Sequence, residues 1–113
     1  RSNQGIMIAA RFRSCGGVLC GLQISGHADF GDAGYDIVCA SVSSAVQLTA
    51  NTITEIFRIP AKEEALDNEI RISIRQQDDS TGAGSKLLAG LQLQLQCLSE
   101  DYPNRIQMKL TEV

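Results

Sequence analysis

The chain contains a single histidine, and a cysteine follows it twelve residues later. His27 and Cys39 are residue types that together support nucleophilic attack on a carbonyl carbon. The thiolate is the attacking species, and an imidazole held beside it keeps the thiol ionised and then protonates a leaving amine. The pattern has a second interpretation, because cysteine is often a small buried side chain and four cysteines give one histidine several chance neighbours.

The sequence predicts that Cys39 lies near the start of a helix. Asp36 is a suitable N-cap residue, and polar residues recur every three or four positions over residues 37–58. Cys39 is then expected in the first turn, where free N–H groups and the helix dipole lower the pKa of a thiol and stabilise an oxyanion. We interpret Asp36 as a helix cap, since a carboxylate too close to Cys39 opposes thiolate formation.

The segment between the two residues is rich in glycine. Residues 26–35 contain three glycines and two aspartates, a composition that predicts a mobile loop. The glycines are interpreted as hinges that let the loop open for an extended peptide, and they are Gly26, Gly31 and Gly34. Asp29 or Asp32 could orient His27, although loop carboxylates are more often simply solvated.

The other three cysteines are interpreted as structural or incidental. Cys15 lies in a predicted turn, Cys20 in a predicted strand, and Cys97 at the end of a predicted helix. The chain has no C-x-x-C pair and one histidine, so we expect no metal site and no cofactor. The sequence has no unbroken apolar run long enough for a membrane span, and we expect no leader peptide. We therefore expect a cytoplasmic protein, with no membrane partner and with reduced thiols.

Charge and composition narrow the class of partner. Of the 113 residues 43% are hydrophobic and 20% charged, which is typical of a folded domain. Thirteen acidic and ten basic side chains give a net charge of −3, and no cluster of basic residues is visible along the chain. Direct binding of nucleic acid is therefore not expected.

Four strands are predicted from alternating apolar residues. The first two, over residues 6–12 and 18–24, form a hairpin about a glycine-containing turn. The third covers residues 70–75 and the last residues 106–110.

Two helices are predicted between these strands. The first covers residues 37–58 and ends before Pro60, and a charged connector follows it over residues 61–68. Residues 87–98 alternate like a strand but also present a helical stripe of leucines. Leucine and glutamine are good helix formers and β-branched residues are absent, so a helix is favoured.

The resulting order is β-β-α-β-α-β. It predicts an α/β (α+β) two-layer sandwich, in which a mostly antiparallel four-stranded sheet carries both helices on one face. Residues 1–5 are polar and patternless and are interpreted as a cloning remnant, which leaves residues 6–113 as a single domain.

One stretch of the sequence resembles a known family. The resemblance lies in Gly26-His27-Ala28, Gly31, Gly34, Asp36-Ile37-Val38-Cys39-Ala40 and Ser43-Ser44. This pattern is similar to the signature of the ribosomal-processing cysteine proteases, the Prp family. The predicted order of elements from about Met7 onward is also similar to the domain of that family.

The resemblance implies a function and the roles of three residues. Members of the family are cytosolic endopeptidases and homodimers that remove the N-terminal extension of a large-subunit ribosomal protein, number twenty-seven, during ribosome assembly. The resemblance gives Cys39 the role of nucleophile, His27 that of general base and acid, and Asp36 a positioning role. The implied partner is the precursor of that ribosomal protein, cut after an aromatic pair.

Two other functions stay open at this point. One is a non-catalytic, ribosome-associated binding or assembly module. The other is a redox-sensing thiol protein, in which Cys39 pairs with a second cysteine. A protease predicts an unusually reactive Cys39, whereas a binding module predicts no special thiol and a sensor predicts a disulfide under mild oxidant.

Overall fold

A computed structural model describes residues 7–26 and 33–113, with the backbone alone over residues 33–36. The described chain runs through five strands and two long helices. In chain order they are β1 (Ile8–Cys15), β2 (Val18–Ser25), α1 (Ala33–Asn51), β3 (Lys62–Leu66), β4 (Glu69–Ser73), α2 (Ala83–Asp101) and β5 (Ile106–Glu112). The predicted order is confirmed, with one strand added.

The described strands form one sheet in the order β3-β4-β2-β1-β5. All neighbours are antiparallel except β1 and β5, which are parallel. The prediction of four strands is wrong by one. Residues 61–68, which the sequence predicts to be a connector, contain β3, and β3 forms a hairpin with β4. Four of the five β3 residues are exposed, so this edge strand has no apolar alternation that would reveal it.

One face of the sheet forms the core with both helices. The inward strand residues occur at every second position, and they include Ile8, Ala10, Phe12, Leu22, Ile24, Ile72 and Ile106. They form a single cluster with the apolar stripes of α1 and α2. This arrangement confirms the predicted two-layer fold with both helices on one side.

Helix α1 begins earlier than predicted. It starts at Ala33, so Asp36 lies inside the helix and is not its N-cap. Gly34 is likewise helical, although the sequence predicted a loop up to residue 35. The physical reason is that a glycine is tolerated in a first turn and that an acidic residue there is favoured by the helix dipole.

The end of the first helix agrees with the prediction. A π-helical turn, Thr52–Ile56, follows α1, and Arg58 has a φ of 57°. The N–H of Ile59 donates to the carbonyl oxygen of Ile53 over 2.9 Å, which closes the helix end. Ile59 is buried, and Pro60 prevents continuation.

Within the described residues, Ile37–Ile56 is long and apolar enough to cross a membrane by length and composition. Several of its apolar residues, Val38, Val42, Val46 and Ile53, lie in the core. Core packing accounts for these four residues, whereas Ile37, Leu48 and Ile56 of the same segment are exposed.

Helix α2 confirms the choice of helix over strand. Leu88, Leu91 and Leu95 are buried, whereas Leu93, which a strand would place on the same face as Leu91 and Leu95, is 66% exposed. The Asp79 carboxylate accepts the N–H groups of Gly84 and Ser85, each over 2.9 Å, and so caps the start of the helix.

The β1–β2 hairpin carries a disulfide that the sequence did not predict. Cys15 and Cys20 are bonded across the turn, with their Cα atoms 6.0 Å apart. The expectation of reduced thiols is therefore wrong for this pair. Cys15 ends β1 opposite Val18, and Cys20 lies at an irregularity in the pairing of the two strands, so their closeness depends on a register that spacing alone does not give. Cys39 and Cys97 are not in a disulfide.

Candidate active site

The two predicted catalytic residues belong to neighbouring parts of the chain. Strand β2 ends at Ser25 and α1 begins at Ala33, and His27 lies in the segment between them, outside the described residues. Gly31, Asp29 and Asp32 also lie outside the described residues. The described ends of this segment are Gly26 and Ala33.

Gly26 holds the chain firmly just before His27. Its φ of +79° is rarely adopted by residues that carry a side chain, and a Cβ built on Gly26 lies 2.6 Å from the carbonyl oxygen of Met7. Its N–H donates to the carbonyl oxygen of Asn68 over 3.1 Å. We therefore interpret Gly26 as an anchor that sets the direction of the chain into His27, and not as a hinge. Both partners are distant in sequence, so no local signal reveals this role.

Cys39 lies on α1, at the boundary of the core. It is partly buried and packs against the core cluster. It is the seventh residue of the helix, so it belongs to the second turn and not to the first. Within the described helix, the N–H groups without an intrahelical acceptor are those of residues 33–35. The first-turn position predicted for Cys39 is wrong, because the helix starts three residues before Asp36.

Asp36 precedes Cys39 by three residues on the same helix. Residues three and four apart lie on the same side of a helix, so Asp36, Cys39 and Ser43 share one side. Ser43 is exposed. This side of α1 therefore combines a partly buried thiol with access to solvent one turn later.

A groove formed by described residues lies on the opposite side of α1 from Cys39. It has a volume of about 760 Å³ and lies between α1 and α2, lined by residues that include Ser44, Leu48, Leu87 and Leu91. Cys39 and Leu48 are nine residues apart, which at about 100° per residue places them about 180° apart around the helix. The groove and the thiol therefore face opposite sides of α1.

Metal ligands are not assembled in the part of the chain that the structure describes. No group of three or more His, Cys, Asp or Glu side chains there is close enough to hold an ion. His27 lies outside that part of the chain, so the predicted absence of a metal stays a prediction.

Comparisons with known proteins identify the family of this chain. The family model for cysteine protease Prp matches residues 7–107. The ribosomal processing cysteine protease Prp of Staphylococcus aureus is 29% identical over 85 residues, which cover 75% of this chain and 80% of that protein.

Solved structures agree with the described fold. SMU.848 from Streptococcus mutans superposes with a TM-score of 0.82 at 25% identity, covering 99% of this chain and 100% of that one. The S. aureus Prp protease in complex with a substrate peptide gives a TM-score of 0.81 at 24% identity, covering 93% and 100%. Because the family model spans most of the sequence, from β1 into β5, the chain belongs to the cysteine protease Prp family and is a cysteine protease.

Proposed function

We propose that this protease removes the N-terminal extension of large-subunit ribosomal protein number twenty-seven, with Cys39 as nucleophile and His27 as general base and acid. The main support for this proposal is that residues 7–107 match the family model and contain a single histidine, which directly follows Gly26 in the sequence. Its relative in S. aureus is a ribosomal processing protease that has been solved with a substrate peptide. That relative supports a ribosomal peptide as the ligand here.

The chemistry proceeds in two half-reactions. His27 takes the proton of Cys39, and the sulfur attacks the carbonyl carbon of the scissile peptide bond. The C–N bond breaks as His27 returns its proton to the leaving amine, which leaves a thioester on Cys39. Water, deprotonated by His27, then attacks the thioester. The C–S bond breaks, the peptide leaves with a terminal carboxyl group, and His27 returns the proton to the sulfur. A relative solved with a covalently linked product peptide supports such an intermediate.

The position of Cys39 in the second turn changes how its thiolate is stabilised. The dipole effect falls off within the first helical turn, so it contributes less here than the sequence predicted. An adjacent imidazolium then supplies most of the stabilisation, because a cation beside a thiolate lowers the pKa of the thiol. The ion pair forms as the thiol ionises and is lost when the imidazolium deprotonates, so activity follows a bell-shaped pH profile.

The donors for the oxyanion are assigned to the start of α1. The N–H of Cys39 lies inside the regular hydrogen bonding of the helix, whereas the N–H groups of residues 33–35 have no intrahelical acceptor. They lie at least one turn before Cys39 and point along the helix axis, away from the body of the helix. A carbonyl oxygen placed there would be polarised by donors that are already oriented.

Self-association is proposed for the side of α1 opposite Cys39. Leu48 is 69% exposed and lies in the groove between the helices, whose other lining residues include the small Ala40 and Ser44. Ile37, which lies on the same side of the helix, is 55% exposed. Exposed apolar residues around a groove of small side chains fit a symmetric helix contact, which supports a homodimer of this cytoplasmic enzyme.

Peptide cleavage tests the proposal directly. A peptide that contains the extension and the first residues of the mature ribosomal protein is incubated with the enzyme, and the products are weighed by mass spectrometry. Cleavage at one bond after the aromatic pair is expected, and none with Cys39→Ala. Cys97→Ala is the matched control, because Cys97 is an exposed thiol on α2. A Cys39→Ala protein that still cleaves contradicts the assignment, and binding without cleavage by the unaltered chain identifies a non-catalytic module.

A further inference from the structure

The face of the sheet that the helices leave uncovered is basic. Its side chains occupy the strand positions that alternate with the core residues. Five of the ten basic residues of the chain lie there, and they are Arg11, Arg13, Lys62, Arg71 and Lys109. Among the described strand residues, two acidic side chains share this face, and they are Glu64 and Glu69. A chain with a net charge of −3 therefore has one face of opposite sign.

Strand register arranges these charges in two rows across the sheet. One row runs through Lys109, Arg11, Gln23, Arg71 and Glu64. The other runs through Thr111, Arg13, Gly21, Ser73 and Lys62. Neighbouring strands lie about 4.8 Å apart, so each row spans about 19 Å. That width is enough to contact several consecutive phosphates of a nucleic-acid backbone.

Most of these cations are not neutralised within the described protein. Arg71 forms an ion pair with Glu69. Arg11, Arg13, Lys62 and Lys109 are exposed, and none of them forms an ion pair with another described residue. Their charge is therefore available to a partner.

A shallow groove runs along this face, and Arg13 is one of the residues that line it. The groove has a volume of about 400 Å³ and lies between Arg13, Lys62 and Arg71. A Cβ built on Gly21 lies 2.9 Å from a guanidinium nitrogen of Arg13, so the missing side chain lets this guanidinium lie flat across β2. Arginine in such a position can offer two parallel N–H donors to a phosphate.

We propose that this open face, defined by Arg11, Arg13, Lys62, Arg71 and Lys109, binds the phosphate backbone of RNA. None of the strand residues on the face is aromatic, so it offers charge and hydrogen bonds but no base stacking. Recognition is then independent of sequence and sensitive to salt. The choice of RNA over an acidic protein rests on the proposed function, because a ribosomal substrate is assembled on RNA.

The proposal separates docking from cleavage. The helices and Cys39 lie on one side of the sheet and the basic face lies on the other. RNA bound to the basic face leaves the thiol accessible to a peptide, so the enzyme can hold an assembling ribosomal particle while it cuts. This role is opposite to the prediction from composition that the protein does not bind nucleic acid. The fold brings together basic residues of β1, β3, β4 and β5 that form no cluster along the chain.

Titration of a fluorescently labelled, structured RNA with the full chain tests the proposal by anisotropy. The face variant carries both Arg11→Gln and Arg13→Gln. The control variant carries both Arg58→Gln and Lys86→Gln, which remove the same charge from exposed positions outside the face. The face variant is expected to bind at least about tenfold more weakly, with the salt slope reduced by about 0.7 to 0.9 for each lost contact. The control variant is expected to bind like the unaltered chain.

Three outcomes overturn the proposal. They are absence of RNA binding by the unaltered chain, equal weakening by both variants, and binding of polyglutamate in preference to RNA, which identifies an acidic protein partner. Thermal unfolding of both variants checks that the fold is intact. Cleavage of a free peptide is expected to be the same for the face variant and the unaltered chain. RNA binding is measured with Cys39→Ala as well, so failure of the protease assignment and failure of the RNA proposal give different results.

Discussion

The two sides of α1 differ in shape and in chemistry. One side carries Cys39, which is partly buried and packs against the core. The other side carries Leu48, which is 69% exposed in a groove of about 760 Å³ between α1 and α2. This groove therefore does not mark the chemistry of the thiol. Reactivity of residue types locates the candidate active site, whereas groove size and apolar exposure locate the candidate contact surface.

The largest effect is expected on the Cys39 side. Cys39→Ala and His27→Ala should each lower kcat/KM by at least about 10³-fold, because removal of one member of a catalytic pair removes the step that both perform. The measurement is steady-state cleavage of the substrate peptide. Both variants should remain dimeric, since neither change touches the Leu48 side. A dimer lost in Cys39→Ala would contradict the separation of the two sides.

Cys39→Ser should separate binding from turnover. The hydroxyl is a much weaker nucleophile at neutral pH but occupies nearly the same space. The variant is expected to bind the peptide with an unchanged Kd while cleavage falls below detection. Isothermal titration measures the Kd, and a weakening comparable to the loss of turnover would show that Cys39 contributes to binding instead.

The next effect is expected at the anchor before His27. Gly26→Ala places a methyl group against the carbonyl oxygen of Met7 at a φ of +79°, so the free energy of unfolding should fall by about 1 to 3 kcal/mol. Turnover should fall as well, because the chain enters His27 from a displaced position. Gly90→Ala is the control, since a Cβ there meets nothing within 4 Å, and it should stabilise α2 by about 0.5 to 1 kcal/mol. Urea denaturation and peptide cleavage measure both effects, and an unchanged stability for Gly26→Ala would refute the anchor.

A smaller effect is expected at the hairpin disulfide, which lies on neither side of α1. The double variant Cys15→Ala with Cys20→Ala removes a disulfide that closes a very short loop. Loss of this disulfide should lower the free energy of unfolding by about 2 kcal/mol. Turnover should be unaffected, because the β1–β2 register is also held by backbone hydrogen bonds. Cys97→Ala should change neither quantity. A loss of turnover in the double variant would connect the hairpin to the active site.

The smallest effect is expected on the Leu48 side. Leu48→Lys should weaken the dimer by about tenfold or more, because it places a charge in an apolar contact. Leu93→Lys is the matched control, since Leu93 is 66% exposed on α2 and lines a different groove, next to β5. Sedimentation velocity over a range of concentrations measures the dissociation constant. Equal dimers in all three proteins would remove the proposed contact from this side of α1.

Periodic features of the fold were predictable from the sequence, and features that depend on register were not. The alternation in β1, β2 and β4 and the leucine stripe of α2 follow from burial on one side, which imposes a period that a sequence displays. Strand β3 has mostly exposed residues on both faces, so nothing in its composition distinguishes it from a connector. The Cys15–Cys20 bond and the basic face depend on which strands are neighbours, and composition does not specify that.

The residues of the candidate site stay a prediction, whereas the position of Cys39 on its helix could be compared with the structure. The histidine and cysteine stand out by type and spacing, and the family match covers both. The start of α1 was misplaced by three residues because Asp36 satisfies the sequence rules for a cap. That shift moves Cys39 from the first turn to the second, and in the proposed mechanism it leaves the ionisation of the thiol mainly to His27.

The reactivity of Cys39 toward iodoacetamide as a function of pH tests this assignment most directly. Alkylation at each cysteine is followed by peptide mass spectrometry in the unaltered chain and in His27→Ala. If Cys39 and His27 form a pair, Cys39 is expected to react at a lower pH than the exposed Cys97, and His27→Ala is expected to move the Cys39 profile up to that of an ordinary thiol. Identical profiles for Cys39 with and without the imidazole would contradict the Cys39–His27 pair.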